Sequence, residues 1–121
     1  PHTHQEKADG AHGVPGLETT LPLLLTAEQQ GKITREQIIE KCHTNPAKIF
    51  SIPTSEKTFI EVSLEEYVIS NDKLFTKCGW SPFDGQKVTG RVIKTVIDGE
   101  IRFEDGRVIA QAGDGKVIPA R

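Results

Sequence analysis

One stretch decides how the rest of the sequence is interpreted: Pro1–Lys7, PHTHQEK, which leads after a short linker into Gly13–Leu25, GVPGLETTLPLLL. A polar, His-rich segment with three glycines runs directly into an apolar helix. Structureless loops of this length are uncommon in compact domains and are usually functional or disordered. Because Pro15-Gly16 ends the loop abruptly, we interpret it as functional. Glycine lets a ligand approach the backbone, and a helix N-terminus offers unpaired N–H groups to an anion.

The composition argues against several classes of protein. The 121 residues suffice for one domain with a modest core. The net charge of −2 argues against a nucleic-acid partner, and the apolar runs are shorter than the ~20 residues of a membrane span. Two cysteines, Cys42 and Cys78, predict reduced thiols in a cytoplasmic protein rather than a disulfide scaffold. The chain begins at Pro1 and lacks Met, so we expect a fragment or a processed chain.

The first predicted helix lies within residues 17–30, where leucines recur at helical spacing. Gly31 is a natural stop at its C-terminal end. Pro22 fits best in the first turn of a helix, which places the start near Thr19 or Thr20.

Two further helices are predicted before residue 53. Thr34 and Gln37 form a capping-box pattern that opens the second helix. In the third, Asn45 is the predicted N-cap and Pro46 the first helical residue. Pro53 prevents the third helix from continuing.

The C-terminal part carries strand signals. Residues 58–62 alternate with a period of two, and residues 67–69 predict a second short strand. The strongest signal is Arg91–Ala110, where β-rich runs are separated by Asp98-Gly99 and by Asp105-Gly106. Asp-Gly between such runs is typical of two-residue hairpin turns, so this region predicts a three-stranded meander.

The same sequence carries a family resemblance. Its N-terminal part resembles the last barrel loop and helix of the dihydroorotases, on the motifs Pro-His-Thr, Glu-Lys and Pro-Gly-Leu-Glu-Thr-x-Leu-Pro-Leu-Leu-Leu. Dihydroorotases are zinc amidohydrolases that open and close the dihydropyrimidine ring in pyrimidine synthesis. The chain looks most like the dihydroorotase domain of the polypeptide that also contains carbamoyl-phosphate synthetase and aspartate transcarbamylase. A stand-alone enzyme of the same type is an equal alternative. The likeness continues through CHTNPAKIF at 42–50, FIEVSL at 59–64 and WSPFDGQKVTGRV at 80–92.

This resemblance implies an α/β amidohydrolase fold, namely the C-terminal end of a TIM-type (β/α)8 barrel plus a small β-rich domain with a three-stranded meander. Residues 1–53 would form the last barrel loop and terminal helices, and residues 54–121 the C-terminal part of the small β domain. A complete barrel needs about 250 residues. The rest of the barrel and the first half of the β domain are therefore expected upstream.

The resemblance also implies three substrate-binding residues, His2, Pro15 and Gly16. His2 matches the family histidine that binds the substrate carboxylate, and an imidazole N–H is a sound donor to a carboxylate. Pro15-Gly16 matches the position whose backbone N–H and C=O groups line the pyrimidine ring. From spacing alone, a solvated chain end and a plain turn remain alternatives.

The other candidate residues receive no functional role. His2-x-His4 could be a zinc-binding pair, but the resemblance places it after the eighth barrel strand rather than the first, so we reject that assignment. Trp80–Phe83 is interpreted as an aromatic anchor of the β domain. We interpret the following as structural, solvated or without an assigned role: His4, His12, His43, Cys78, Glu61, Glu65 and Glu66.

No catalytic residue or metal ligand is expected in this chain. The reaction implied by the resemblance, reversible hydrolysis between dihydroorotate and N-carbamoyl-aspartate, needs a metal-bound hydroxide and an acid/base group. The family's aspartate base and zinc ligands lie upstream, so zinc would bind there. The chain alone would be inactive and would supply part of the substrate pocket.

The expected partners are the N-terminal part of the same enzyme, the substrate dihydroorotate or carbamoyl-aspartate, further copies in a homo-oligomer, and aspartate transcarbamylase. Two alternatives remain open. One is a catalytically inactive dihydroorotase-like scaffold that has lost its metal ligands. The other is a small independent binding module, against which the exposed apolar helix faces argue.

Overall fold

The computed structural model describes residues 13–118. Three α-helices come first: α1 (Thr20–Gln29), α2 (Arg35–Ile39) and α3 (Asn45–Ile49), with a π-helical turn at Glu40–Thr44 between the last two. Four strands follow: β1 (Phe59–Val68), β2 (Lys87–Ile97), β3 (Glu100–Glu104) and β4 (Arg107–Val108). A 3-10 turn at Asn71–Lys73 lies between β1 and β2.

Helix α1 begins and ends as the sequence predicts. It starts at Thr20 after the N-cap Thr19, which leaves the buried Pro22 in the first turn. At the other end Gly31 adopts a φ of 70°, a left-handed conformation that glycine adopts without strain. The N–H of Gly31 donates to Glu28 O at 2.9 Å, and the N–H of Lys32 donates to Ala27 O at 2.9 Å. These two bonds form a Schellman motif that satisfies the last carbonyl groups of the helix.

The predicted capping box opens α2. The N–H of Gln37 donates to the Thr34 hydroxyl at 3.3 Å, and the N–H of Thr34 donates to Gln37 Oε1 at 3.0 Å. Two N–H groups that lack intrahelical partners are thereby satisfied.

The predicted N-cap at Asn45 is wrong. Asn45 is helical, with φ −68° and ψ −46°, and its N–H donates to Glu40 O five residues earlier. The chain therefore passes from α2 through the π turn into α3 without an extended capping residue. Pro46 explains this arrangement, because it has no N–H and its ring would clash with the carbonyl four residues before it in a regular α-helix. We attribute the wider π turn to the relief of that clash.

The two short strands predicted at 58–62 and 67–69 form a single strand, β1. The intervening Ser63–Glu66 contains neither glycine nor proline, so nothing in it forces the chain to turn. Glu65 and Glu66 thus lie within a strand, where their side chains are exposed.

The predicted meander is confirmed in detail. Asp98 and Gly99 have φ values of 53° and 83°, and Asp105 and Gly106 have values of 47° and 78°. Positive φ at both central residues is what two-residue hairpins require. The pairs β2–β3 and β3–β4 are antiparallel, with Ile97 opposite Glu100 and Glu104 opposite Arg107; the register shifts between Thr95 and Val96, a β-bulge.

The strands form one sheet in the order β1-β2-β3-β4. The described chain divides into two compact units, one combining residues up to Lys32 with Leu64–Gly90, the other combining Ile33–Ser63 with residues from Arg91 onward. The domain boundary predicted at residue 53 stays a prediction. Buried apolar side chains of the first unit are Leu25, Ile69, Trp80 and Val88, and those of the second are Ile38 and Val96. None of the described helices has the length and apolar character to cross a membrane.

Candidate functional site: the Pro15–Gly16 turn

The main chain at Pro15 and Gly16 enters α1 through a tight turn. The carbonyl oxygen of Gly16 accepts the N–H of Thr19 at 3.2 Å and the N–H of Thr20 at 3.0 Å. It also accepts the Thr19 hydroxyl at 3.3 Å and the Thr20 hydroxyl at 2.7 Å. This carbonyl is therefore committed to the helix start. Because proline has no N–H, two main-chain polar groups of this turn are still available to a ligand, namely the Pro15 carbonyl and the Gly16 N–H. Neither forms a hydrogen bond to another residue within 13–118.

The fold itself does not demand glycine at position 16. A Cβ built there would lie 3.9 Å from Thr20 Oγ1, an ordinary van der Waals distance, and the φ of Gly16 is outside the left-handed region. Gly13, three residues earlier, differs, with a φ of 103°. The space beside Gly16 is therefore open within the described chain. The close approach of another molecule therefore explains a glycine at position 16 better than the conformation of the turn does.

Glu18 makes a long-range connection that no local sequence pattern indicates. Its Oε1 accepts the N–H of Phe75 at 2.9 Å, and its Oε2 accepts the N–H of Thr76 at 2.8 Å. Hydrogen bonds to an ionised carboxylate are roughly twice as strong as those between neutral groups. The Gly-Leu-Glu-Thr motif contains this residue, but no local pattern identifies partners 57 and 58 residues away.

The segment that receives Glu18 is itself held by side chains. The N–H of Asn71 donates to Asp84 Oδ1 at 2.9 Å, and Asn71 Oδ1 accepts the N–H of Ser81 at 2.7 Å. The Ser81 hydroxyl then accepts the N–H of Phe83 at 3.2 Å. Local bonds of this kind give an irregular loop a defined shape.

A polar groove lies beside α1 and β2, lined by Thr26, Gln29, Gln30, Glu66, Lys87, Val88 and Thr89. Its polar groups are largely paired with one another. The Thr26 hydroxyl accepts the N–H of Thr89 at 2.9 Å, and the Thr89 hydroxyl donates to Gln29 at 2.8 Å. Lys87 and Glu66 form an exposed ion pair at 2.7 Å. We interpret the groove as the junction between helix and strand rather than as a ligand site.

An ionic cluster surrounds Lys94 on β2. Its Nζ lies 3.1 Å from Glu104, the residue opposite it on β3, and 3.9 Å from Glu61 on β1. The hydrogen bond with Glu104, followed by the charge of Glu61, raises the pKa of Lys94 above its ordinary value. The cluster braces the exposed face of the sheet. It holds a lysine between two carboxylates and offers no acid/base pair.

The other sequence candidates are dispersed. His2, His4 and His12 lie outside the described residues. His43 is exposed in the π turn. Cys42 is exposed, Cys78 is half-buried, and both are free thiols. Between Gly13 and Ile118 no group of three or more His, Cys, Asp or Glu side chains is arranged to hold a metal ion. The described residues therefore hold no cluster that fits zinc, whose ligands the resemblance places upstream of this chain.

Known proteins match the chain over nearly all of its length. It is 50% identical to the multifunctional protein pyr1-3 of Dictyostelium discoideum over 95% of this chain and 5% of that protein. It is 45% identical to the multifunctional protein CAD of Squalus acanthias, over 99% of this chain and 6% of that protein. It is 42% identical to a dihydroorotase of Pyrococcus furiosus, over 98% of this chain. The chain spans only 30% of that enzyme's length. No protein-family model matches the chain.

Solved structures share the fold. A D-hydantoinase matches with a TM-score of 0.85 at 25% identity, over 92% of this chain and 26% of that one. An inactive dihydroorotase-like domain of the Chaetomium thermophilum CAD-like protein matches with a TM-score of 0.69 at 24% identity, over 98% of this chain and 33% of that one. The structural neighbours share the fold, and the sequence matches confirm the resemblance: over nearly its whole length the chain is similar to the C-terminal part of a dihydroorotase domain.

Proposed function

We propose that the chain is the C-terminal portion of a zinc-dependent dihydroorotase, which interconverts dihydroorotate and N-carbamoyl-aspartate by reversible hydrolysis of a cyclic amide. The observation that carries this proposal is the 42% identity to a dihydroorotase over 98% of the chain. In this proposal, α1 to α3 belong to the end of a (β/α)8 barrel and the sheet belongs to the small β domain.

The proposed contribution of this chain is one wall of the substrate pocket. The Gly16 N–H can donate to a ring carbonyl, and the Pro15 carbonyl can accept from a ring N–H. The Gly16 carbonyl takes no part, because the start of α1 already occupies it with four donors. A missing Cβ at Gly16 leaves room for the flat ring to lie against the main chain.

His2 is proposed to donate to the carboxylate of dihydroorotate. This role rests on the family motif alone, since His2 lies outside the described residues. Zinc is proposed to bind in the N-terminal part of the domain, where the family resemblance places its ligands. The catalytic acid/base group is proposed to lie there as well.

The assembly belongs to the same proposal. Two relatives are named as multifunctional proteins, which supports a domain joined to other enzymes, aspartate transcarbamylase among them. We further propose that the intact domain forms a homo-oligomer. Native mass measurement of the intact domain tests this point.

The deciding experiment measures dihydroorotate turnover and zinc content in the same preparation of the intact domain. We expect stoichiometric zinc, turnover in both directions, and loss of turnover on chelation with recovery when zinc returns. A folded domain without zinc and without turnover would contradict the proposal. That result would favour the alternative, an inactive dihydroorotase-like scaffold.

A further inference from the structure

We propose that Glu18 is a positioning residue for dihydroorotate: by bonding the main chain of Phe75 and Thr76, it fixes the Pro15–Gly16 turn against which the ring lies. This inference rests on the proposed function, because it needs that turn to line the substrate pocket. It assigns a role to a residue that makes no proposed contact with substrate or metal.

The connection from Glu18 to Gly16 is short and stiff. Only Leu17 separates the two residues, and the Gly16 carbonyl is tied to Thr19 and Thr20 by main-chain bonds of 3.2 and 3.0 Å. Thr19 is buried, with 3% of its surface exposed. A movement of Glu18 must therefore be transmitted to Gly16 rather than absorbed by a slack loop.

The opposite side of the connection is equally well held. Phe75 and Thr76 follow the 3-10 turn at Asn71–Lys73, whose first residue is bonded to Asp84 and to Ser81. Next to Ser81 lies Trp80, of which only 2% is exposed. The carboxylate of Glu18 thus accepts hydrogen bonds from a segment that is held to the buried core of the same unit.

The chemistry requires a carboxylate of this length. Two neighbouring main-chain N–H groups point at two oxygens, at 2.9 and 2.8 Å, so both partners are donors. Glutamine offers one oxygen and places an NH2 group against the second N–H, a donor facing a donor. Aspartate keeps both oxygens, but its side chain is shorter by one methylene group.

The geometry predicts a specific kinetic signature. A displaced turn presents the Gly16 N–H at the wrong place for the ring, whereas the residues that would hold zinc are proposed to lie upstream and outside the displaced segment. Sub-ångström to ångström misplacements of positioning groups cost up to about 100-fold in rate or binding. We expect Glu18→Gln to raise the KM for dihydroorotate by about 10- to 100-fold, with kcat changed by no more than about threefold.

The experiment compares steady-state kinetics of Glu18→Gln, Glu18→Asp and the control Asp72→Asn in the intact zinc-bearing domain. Asp72 is exposed in the same loop, and its side chain bonds no other residue of the described range, so Asp72→Asn removes one negative charge without breaking the connection. Both Glu18 variants should show the raised KM, and Asp72→Asn should match the wild type. An unchanged KM with lowered kcat and lowered thermal stability would assign Glu18 a purely structural role and overturn the inference.

Hydrogen exchange separates this inference from the proposed function. In Glu18→Gln we expect faster exchange both in peptides covering Phe75–Thr76 and in peptides covering Gly16–Thr19, whether or not substrate is present. Faster exchange confined to Phe75–Thr76 would show that the connection does not reach Gly16, and would overturn the inference even in an active enzyme. A wild-type domain that neither turns over nor binds dihydroorotate would overturn the proposed function, and with it the substrate role of Glu18.

Discussion

The side chain of Leu25 fills the space that a side chain on Gly90 would need. A Cβ built on Gly90 would lie 2.3 Å from Leu25 Cδ1 and 3.2 Å from its Cβ. Gly90 also has a φ of 95°. Helix α1 and strand β2 therefore touch at a point where the strand presents bare backbone, and both residues are buried.

This contact makes Gly90→Ala the most damaging small substitution that we expect in the first unit. The extra methyl group must displace Leu25, and the positive φ adds strain. Together these effects should lower the free energy of unfolding by about 2–5 kcal/mol. Denaturant unfolding of the intact domain measures the loss.

Gly85→Ala is the matched control for that measurement. Gly85 has a φ of 79°, but a Cβ there meets nothing within 4 Å. Gly85→Ala should lower the free energy of unfolding only through backbone strain, by about 1–2 kcal/mol. Equal losses at both positions would mean that the contact with Leu25 does not constrain Gly90.

A double substitution tests the contact itself. Leu25→Ala alone removes buried apolar surface, yet it also removes Cδ1, the atom that would lie 2.3 Å from a methyl group at position 90. Leu25→Ala with Gly90→Ala should therefore lose about 1–3 kcal/mol less than the sum of the single losses. Strictly additive losses would contradict the steric explanation.

The ionic cluster on the sheet predicts a pH dependence. Glu104 and Glu61 raise the pKa of Lys94 above its ordinary 10.5. A group whose pKa is raised by folding stabilises the fold fully below its unfolded pKa and loses that contribution as the pH rises through its folded pKa. The stability difference between wild type and Lys94→Gln should thus be constant from neutral pH to about pH 9 and shrink above the unfolded value.

Lys77→Gln serves as the control, because exposed Lys77 forms no ion pair with any residue from 13 to 118. Its stability difference from wild type should be small at every pH. If the stability difference between wild type and Lys94→Gln stayed constant into the alkaline range, Glu61 and Glu104 would not act through the charge of Lys94.

His2 provides a prediction that rests on the family motif alone. Removing the imidazole of a carboxylate-binding histidine should weaken dihydroorotate binding, since one charge-assisted hydrogen bond to a ligand is worth about 1.5–3 kcal/mol, or roughly 10- to 150-fold. His2→Ala should therefore raise the KM in the intact domain while leaving its unfolding midpoint unchanged. Normal kinetics in this variant would show that the alignment of the N-terminal loop is wrong.

Local signals predicted most of the secondary structure. The Asp-Gly turns, the Thr34 capping box and the Gly31 stop each depend on a few adjacent residues, and each was correct. One error arose where two local rules competed. At Asn45-Pro46 a cap was predicted, but a π turn accommodates the proline within a continuing helix.

The site was less predictable than the fold. Pro15-Gly16 was recognised from the motif, but the assignment of its hydrogen-bonding groups required the structure, which commits the Gly16 carbonyl to the helix. Glu18 carried no signal, because its partners are main-chain N–H groups far along the chain and main-chain groups leave no trace in a sequence. Hydrogen bonds from a side chain to distant main-chain groups therefore cannot be predicted from residue patterns.

Dihydroorotate is proposed to lie against the backbone at Gly16, and Gly16→Ala probes this placement. The fold tolerates a methyl group there, because the nearest atom is 3.9 Å away and φ is not left-handed. We predict an unchanged unfolding midpoint and a KM for dihydroorotate raised about tenfold or more in the intact zinc-bearing domain. A Gly16→Ala domain with wild-type stability and wild-type kinetics would contradict the claim.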